Sequence, residues 1–289
     1  MRITLLALVS LAATTAFASS NTDYIALGDS IGFGFQPIPP YTTTPSYGDQ
    51  GYVQYVAKYL AGDNGGVLPN VFNLSIPDET SSSFFDTSNP YRIANLNYTA
   101  PVSQAALFNS TVASEEGLGH TISTVTFALG ANDLLGLLTP TFLSESFAMQ
   151  EFQVQQTLQT VQNNLVASLT DIRTELPTSK LILVGYYNPY DLATIPPTEV
   201  ALTNGIVGEL NSELSGDAAA FGGTYVDVQS AFSGHIAQYT WMDTALQDIH
   251  PNDLGYSVIA NQIKPNVVPA PGAALAMLTG LIAMRRKRK

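Results

Sequence analysis

The stretch "DYIALGDSIGFG", Asp23 to Gly34, decides the fold. Its apolar run, Tyr24 to Leu27, does not alternate with polar residues, and it stops abruptly at Gly28. A run of that kind fits a strand covered on both faces, as in a parallel sheet. Gly32 and Gly34 then allow a tight strand-to-helix turn. The same punctuated pattern recurs in "NVFNLSI" (70–76), "TISTVTFAL" (121–129), "KLILVGYY" (180–187) and "TYVDV" (224–228). Helical stripes lie among these runs. Tyr52, Tyr55, Val56, Tyr59 and Leu60 form one. Leu158, Val161, Leu165, Leu169, Ile172 and Leu176 form a second, ended by Pro177, and Ile206, Leu210, Leu214, Ala218 and Phe221 a third. A last helix spans 254–263. Strand and helix therefore alternate, which predicts an α/β chain folded as a three-layer α/β/α sandwich on five parallel strands. Ligands in such folds bind beyond the carboxyl ends of the strands. Chemistry is expected in the loops after Leu27, Ile76, Leu129 and Val228.

Those loops carry reactive side chains. Ser30 follows the first strand at a helix start, where developing negative charge is favoured. Asn132, in "GANDLL", follows the third, and its amide can donate to an oxyanion formed at Ser30. His250, in "LQDIHPNDLGY" (246–256), follows the fifth and precedes a helix, in the place of a general base. Each also has an ordinary reading as a turn or cap residue. Their joint order along successive strand ends is the stronger signal.

On these residues the sequence resembles the SGNH (GDSL) hydrolase family. "LGDSIGFG" (27–34) matches its first block, "GAND" (130–133) its third, and "HPNDLGY" (250–256) its fifth, while "NLSIPDETSS" (73–82) is an altered second block. The resemblance spans residues 24 to about 263. It implies a flavodoxin-like sheet and hydrolysis of carboxylic esters with no metal and no cofactor. Ser30 would be the nucleophile and His250 the general base, then acid. The oxyanion donors would be the Ser30 N–H, the backbone N–H at Asp78, and the Asn132 amide. Asp29 is expected to be a hydrogen-bond acceptor in the turn. His120 and His235 match no block and read as loop or surface residues, and Glu79 receives no role.

Two positions depart from the family pattern. Asp78 stands where the second block has glycine. The N–H survives, and aspartate tolerates left-handed backbone better than most residues, but its carboxylate opposes a developing oxyanion. Gln247 stands three residues before the histidine, where the family places its acid, and Asp248 comes one residue late. Asp248, the Gln247 side chain or a backbone carbonyl are the candidates to orient the imidazole. These departures motivate a second reading, a surface or matrix binding module on the same scaffold with impaired chemistry. The leading reading is an esterase for short acyl, lipid or acetylated carbohydrate esters.

Both ends read as processing segments. Residues 1–18 have a basic start, an apolar middle and Ala16-Phe17-Ala18, the pattern of a secretory signal. The C-terminal segment 268–289 resembles a PEP-CTERM sorting tail. It has a Pro-rich motif (Val268-Pro269-Ala270-Pro271, with Ala270 where the family carries Glu), an apolar run from Gly272 to Met284, and five basic residues. That resemblance implies export, transient membrane retention and a membrane-bound sorting enzyme as partner, leaving a hydrolase domain of 19–267. Without Arg2 and the basic tail, five Lys and Arg face 23 Asp and Glu, a balance of −18. Nucleic acid is thereby excluded as a partner, since it requires a basic footprint. Cysteine is absent, so neither a disulfide nor a thiolate contributes. Two stretches, 34–51 and 81–103, read as long loops able to shape a substrate pocket.

Overall fold

The computed structural model describes residues 22–37 and 51–268. The expected signal segment, most of the 34–51 loop, and the tail from Pro269 onward lie outside the described residues. Five strands form one parallel sheet: β1 (Thr22–Gly28), β2 (Asn70–Asn73), β3 (Thr121–Ala128), β4 (Lys180–Val184) and β5 (Thr224–Val226), in the order β2-β1-β3-β4-β5. The α/β reading and the five strand positions hold. The β2 ladder runs on past its last strand residue through Leu74 N–H to Ala26 O (2.8 Å) and Ile76 N–H to Gly28 O (3.0 Å).

The major helices are α2 (Gly51–Asp63), α3 (Gln104–Gly117), α6 (Phe147–Glu175), α7 (Pro197–Ala220) and α10 (Asp253–Val267). Short helical turns lie between them: α1 (Ser30–Phe33), α4 (Ala131–Leu135), α5 (Pro140–Ser144), α8 (Val228–Phe232) and α9 (Ile236–Tyr239). α2 and α10 pack together on one face, and α3, α6 and α7 cover the other. Tyr24, Ile25, Ala26 and Leu27 consequently have no exposed surface. Burial of a large apolar side chain contributes about 1.5–3 kcal/mol, so β1 anchors the core. Its one polar tip is satisfied, because Tyr24 Oη lies 2.8 Å from Thr126 Oγ1.

Three features escape the sequence patterns. α3 carries a weak apolar stripe and lies in a segment with no clear punctuation. α6 begins at Phe147, ahead of the Leu158 stripe. A two-stranded antiparallel piece, β6 (Thr240–Trp241) with β7 (Asp248–Pro251), precedes α10. The 81–103 stretch is irregular as expected, with two 3₁₀ turns, yet it is firmly tied down. β2 is an edge strand, whose outward carbonyls need partners. Asn95 Nδ2 donates to Asn73 O (2.9 Å) and Ser75 O (2.8 Å), Asn97 Nδ2 to Asn73 O (2.8 Å), and Tyr98 Oη to Leu74 O (2.6 Å). Side chains thus stand where another strand would.

The end of β1 is held as tightly. Gly28 has φ +126°, and a Cβ there would fall 1.9 Å from Ala128 O. Its N–H donates to Gln104 Oε1 (2.6 Å), and Gln104 Nε2 donates back to Gly28 O (2.9 Å). Gln104 is fully buried, so removing its amide strands the Gly28 N–H away from water, while Gly28 O keeps the bond from Ile76 N–H. Gln104→Ala is expected to lower unfolding free energy by about 1–3 kcal/mol. Urea denaturation checks this; a loss under about 1 kcal/mol would mean that the amide does not hold the β1 end.

Candidate active site

Ser30 is the first residue of α1, two positions beyond Gly28. Asp29 caps this helix: Oδ1 accepts from Ile31 N–H (2.9 Å) and Oδ2 from Tyr186 Oη (2.6 Å). Asp29 is therefore the structural acceptor expected from the sequence. Burial pushes its carboxyl up to about 6, partly offset by the bonds from Tyr186 and Ile31. The Ser30 N–H lies in the first turn, where helical donors have no partner within the helix. Ser30 itself is almost buried, at 7% exposure, so its hydroxyl meets little bulk water.

The motif His250–Tyr256 reads residue by residue. Pro251 pairs with Thr240 across the β6–β7 piece. Asn252 caps α10 by accepting from Gly255 N–H (3.0 Å), while its own N–H donates to Tyr239 O (2.9 Å). Gly255 is required there, because a Cβ would lie 2.1 Å from Tyr239 O. Asp253 accepts from Gln36 Nε2 (2.7 Å), and Tyr256 Oη donates to Phe35 O (2.7 Å). The last motif is thereby stitched to the chain just after α1. His250 Nε2 lies 2.9 Å from Ser30 Oγ, and the Phe35 ring packs on the imidazole at 4.5 Å between centroids.

Asp248 holds the other ring nitrogen. Its Oδ1 is 2.7 Å from His250 Nδ1 and also accepts the His250 backbone N–H at 2.9 Å. The second bond closes an Asx turn, a local shape that aspartate favours. Gln247 makes the reach possible by adopting φ +47°, a left-handed conformation uncommon outside glycine. Its side chain is exposed and its N–H goes to Thr244 O (3.2 Å). Of the three candidates to orient His250, Asp248 is the one in place. A carboxylate only accepts, so Nδ1 carries the proton and Nε2 is left to accept from Ser30. Burial raises the Asp248 carboxyl, but the bond from the His250 ring, its charge and its backbone N–H together bring it below the usual range.

Asp78 and Asn132 line the same open cleft as Ser30 and His250. Asp78 has φ +60°, so aspartate adopts the backbone shape that glycine permits, and its side chain is exposed. Asn132, on α4, donates an amide hydrogen to Glu79 O (2.9 Å). Asp133 binds Ser81 twice, N–H to Oδ2 and Oγ–H to Oδ1, both at 2.8 Å. The second and third motif loops are thus locked to one another. Glu79, given no role by the sequence, is fully buried and accepts from Asn89 Nδ2 (2.7 Å), which also donates to Pro77 O (3.0 Å). Burial pushes its carboxyl up to about 7. His235 is exposed against Tyr239 and far from these groups in role, while His120 belongs to a separate cluster at the amino end of β3.

Sequence reasoning missed Gln104, Tyr186 and Asn89. All three act through buried polar bonds to the motif loops, and only the aromatic pair in "GYYNPY" after β4 hinted at one of them.

With this geometry Ser30 is expected to be labelled by a fluorophosphonate, which traps activated serines. Asp248→Asn is expected to slow labelling by about 100- to 10,000-fold, because an amide can hold the wrong tautomer. Gln247→Asp, which restores the usual acid position, is expected to change the rate less than about threefold. A large gain from Gln247→Asp would mean that Asp248 is the wrong partner.

A model of the GDSL-like Lipase/Acylhydrolase family matches residues 26–258. No curated protein matches the chain. Among solved structures, an acetylxylan esterase from Geobacillus stearothermophilus superposes with TM-score 0.55 at 16% identity, covering 87% of this chain and 98% of that one. A lipase from goat rumen metagenome gives TM-score 0.57 at 19% identity, covering 85% and 97%. At these identities the structures speak for the fold alone; the family match spans all the motif loops just described, and this chain belongs to the GDSL-like lipase/acylhydrolase family.

Proposed function

We propose that this carboxylic ester hydrolase works through an acyl-enzyme on Ser30 and favours short acyl groups carried on bulkier alcohols. The observation that carries the mechanism is the continuous bonded row Ser30 Oγ, His250 Nε2, His250 Nδ1, Asp248 Oδ1. In this reading His250 takes the Ser30 proton as Oγ attacks the ester carbonyl, and Asp248 stabilises the imidazolium. The oxyanion receives the N–H groups of Ser30 and Asp78 and the other amide hydrogen of Asn132. His250 then donates its proton to the leaving alcohol. Water, activated by the same ring, releases the acid and frees Ser30.

The surroundings of Ser30 support the substrate class. On one side lies a narrow apolar slot of about 70 Å³, walled by Leu134, Leu135 and Leu138 around α4 and by Ile206, Val207 and Leu210 of α7. One water centre needs ~10–15 Å³, so the slot suits a chain of only a few carbons. On the other side the cleft widens to about 490 Å³, bordered by Phe35, Pro77, Tyr91 and the Asp78 carboxylate. That polar-rimmed space suits the alcohol, including a sugar. The Asp78 charge is unfavourable beside an oxyanion but is exposed, so solvent screens it. The alternative reading as an impaired binding module rested on Asp78 and Gln247, and both are accommodated by left-handed backbone. Export directed by residues 1–18 and surface sorting by the tail remain part of the proposal, and N-terminal sequencing of secreted protein tests the first.

Purified protein is expected to hydrolyse p-nitrophenyl acetate and butyrate well and decanoate poorly, with Ser30→Ala at background. Leu138→Trp, which fills the slot, should cut kcat/KM for butyrate at least about tenfold and leave acetate within about threefold. Equal loss on both esters would place the acyl chain elsewhere. Asp78→Gly should raise kcat by a few-fold at low salt, with the gain shrinking at high salt. A decrease would show that the aspartate contributes to turnover.

A further inference from the structure

At the amino end of the sheet, opposite the ester site, Asp23, Glu115 and His120 converge. Asp23 lies on β1, Glu115 in the last turn of α3, and His120 just ahead of β3. Asp23 and Ser30 are separated by almost the whole of β1, about 17 Å along the strand. His120 Nδ1 is 2.7 Å from Glu115 Oε2 and 3.3 Å from Asp23 Oδ2. All three ligand atoms lie within 4.8 Å of one another.

Asp23 is the informative member. It is fully buried, and among the described residues its Oδ2 has no hydrogen-bond partner. Asn70 Nδ2 donates to the other oxygen, Oδ1, at 2.9 Å and so fixes the carboxylate with Oδ2 turned toward the imidazole. One Nδ1 proton cannot serve two carboxylates, and Glu115 sits where it takes that proton. A dry carboxylate oxygen is left uncompensated, which buried charges rarely are.

We propose that Asp23 Oδ2, Glu115 Oε2 and His120 Nδ1 form a structural divalent-metal site, taking Zn²⁺ in preference to Ca²⁺. One cation satisfies all three atoms at once. Bonds of about 2.0–2.1 Å in tetrahedral array put ligands about 3.3 Å apart; His120 Nδ1 and Asp23 Oδ2 already stand at 3.3 Å, while Glu115 Oε2, at 2.7 Å from Nδ1, must draw back slightly as the cation replaces the shared proton. An imidazole with two carboxylates suits a borderline ion, whereas Ca²⁺ requires six or more oxygens. Three protein ligands leave one position for water. The Asn70 amide acts as the outer support that metal-binding carboxylates usually have. The ion would bolt the first described strand to α3 and β3, and it takes no part in ester cleavage.

The test is calorimetric titration of chelator-stripped protein with ZnCl₂, with thermal unfolding in parallel and CaCl₂ as comparator. We expect one Zn²⁺ per chain and a melting temperature raised by about 5 °C or more at a hundredfold excess over Kd. Asp23→Asn and His120→Ala should each weaken binding at least about tenfold and remove the thermal shift. Asp23→Asn should retain ester hydrolysis, which shows it folded. Absence of Zn²⁺ binding by the unaltered protein overturns the proposal. So does binding undiminished in both variants, since the ion would then sit elsewhere, for example on His250 and Asp248.

Discussion

The structure turns on how closely the end of β1 approaches β3. Only a residue without a side chain fits at Gly28, where a Cβ would overlap Ala128 O. The chain must reverse there with positive φ and start a helix at once. That reversal puts Ser30 over the carboxyl edge of the sheet, nearly buried, with the helix start behind it. Gln104 from α3 and Tyr186, just beyond β4, hold the turn from either side. Sheet packing thus fixes the place of Ser30 before any other side chain of the site is considered.

The histidine is positioned by a different device. A strained turn and a short antiparallel ladder carry it to Ser30. Gln247 takes left-handed backbone so that Asp248 can close an Asx turn and present one oxygen to both the ring and the backbone of His250. Left-handed backbone costs a non-glycine residue roughly 1–2 kcal/mol. The charge-assisted bond to Nδ1 is of comparable or greater size, so it sustains the turn. The same end, a carboxylate on Nδ1, is reached along a path one residue shorter than the usual one.

The loop carrying Asp78 shows how a polar surface segment can be made rigid. Its carbonyls and those of the β2 edge are covered by amides of Asn89, Asn95, Asn97 and Asn132, and Asp133 grips Ser81. Oxyanion donors act best when they need no reorganisation as charge develops. The 81–103 stretch therefore serves the site by fixing it, in addition to bordering the cleft through Tyr91.

The sequence by itself determined the layers and pointed to the side chains that meet at one sheet edge. Unbroken apolar runs marked five strands because both faces of a parallel sheet are covered, and Ser30, Asn132 and His250 were legible because loops at one sheet edge share a site. The left-handed shape at Asp78 was also foreseeable, since aspartate tolerates it. Only the tertiary structure decided which atom holds the imidazole, because that depends on φ at Gln247 and on pairing with β6, which residue spacing does not encode. It alone joined Gln104, Tyr186 and Asn89 to the site, and Asp23 to Glu115 and His120. Those contacts link residues distant in sequence through buried polar groups, which leave no periodic trace along the chain.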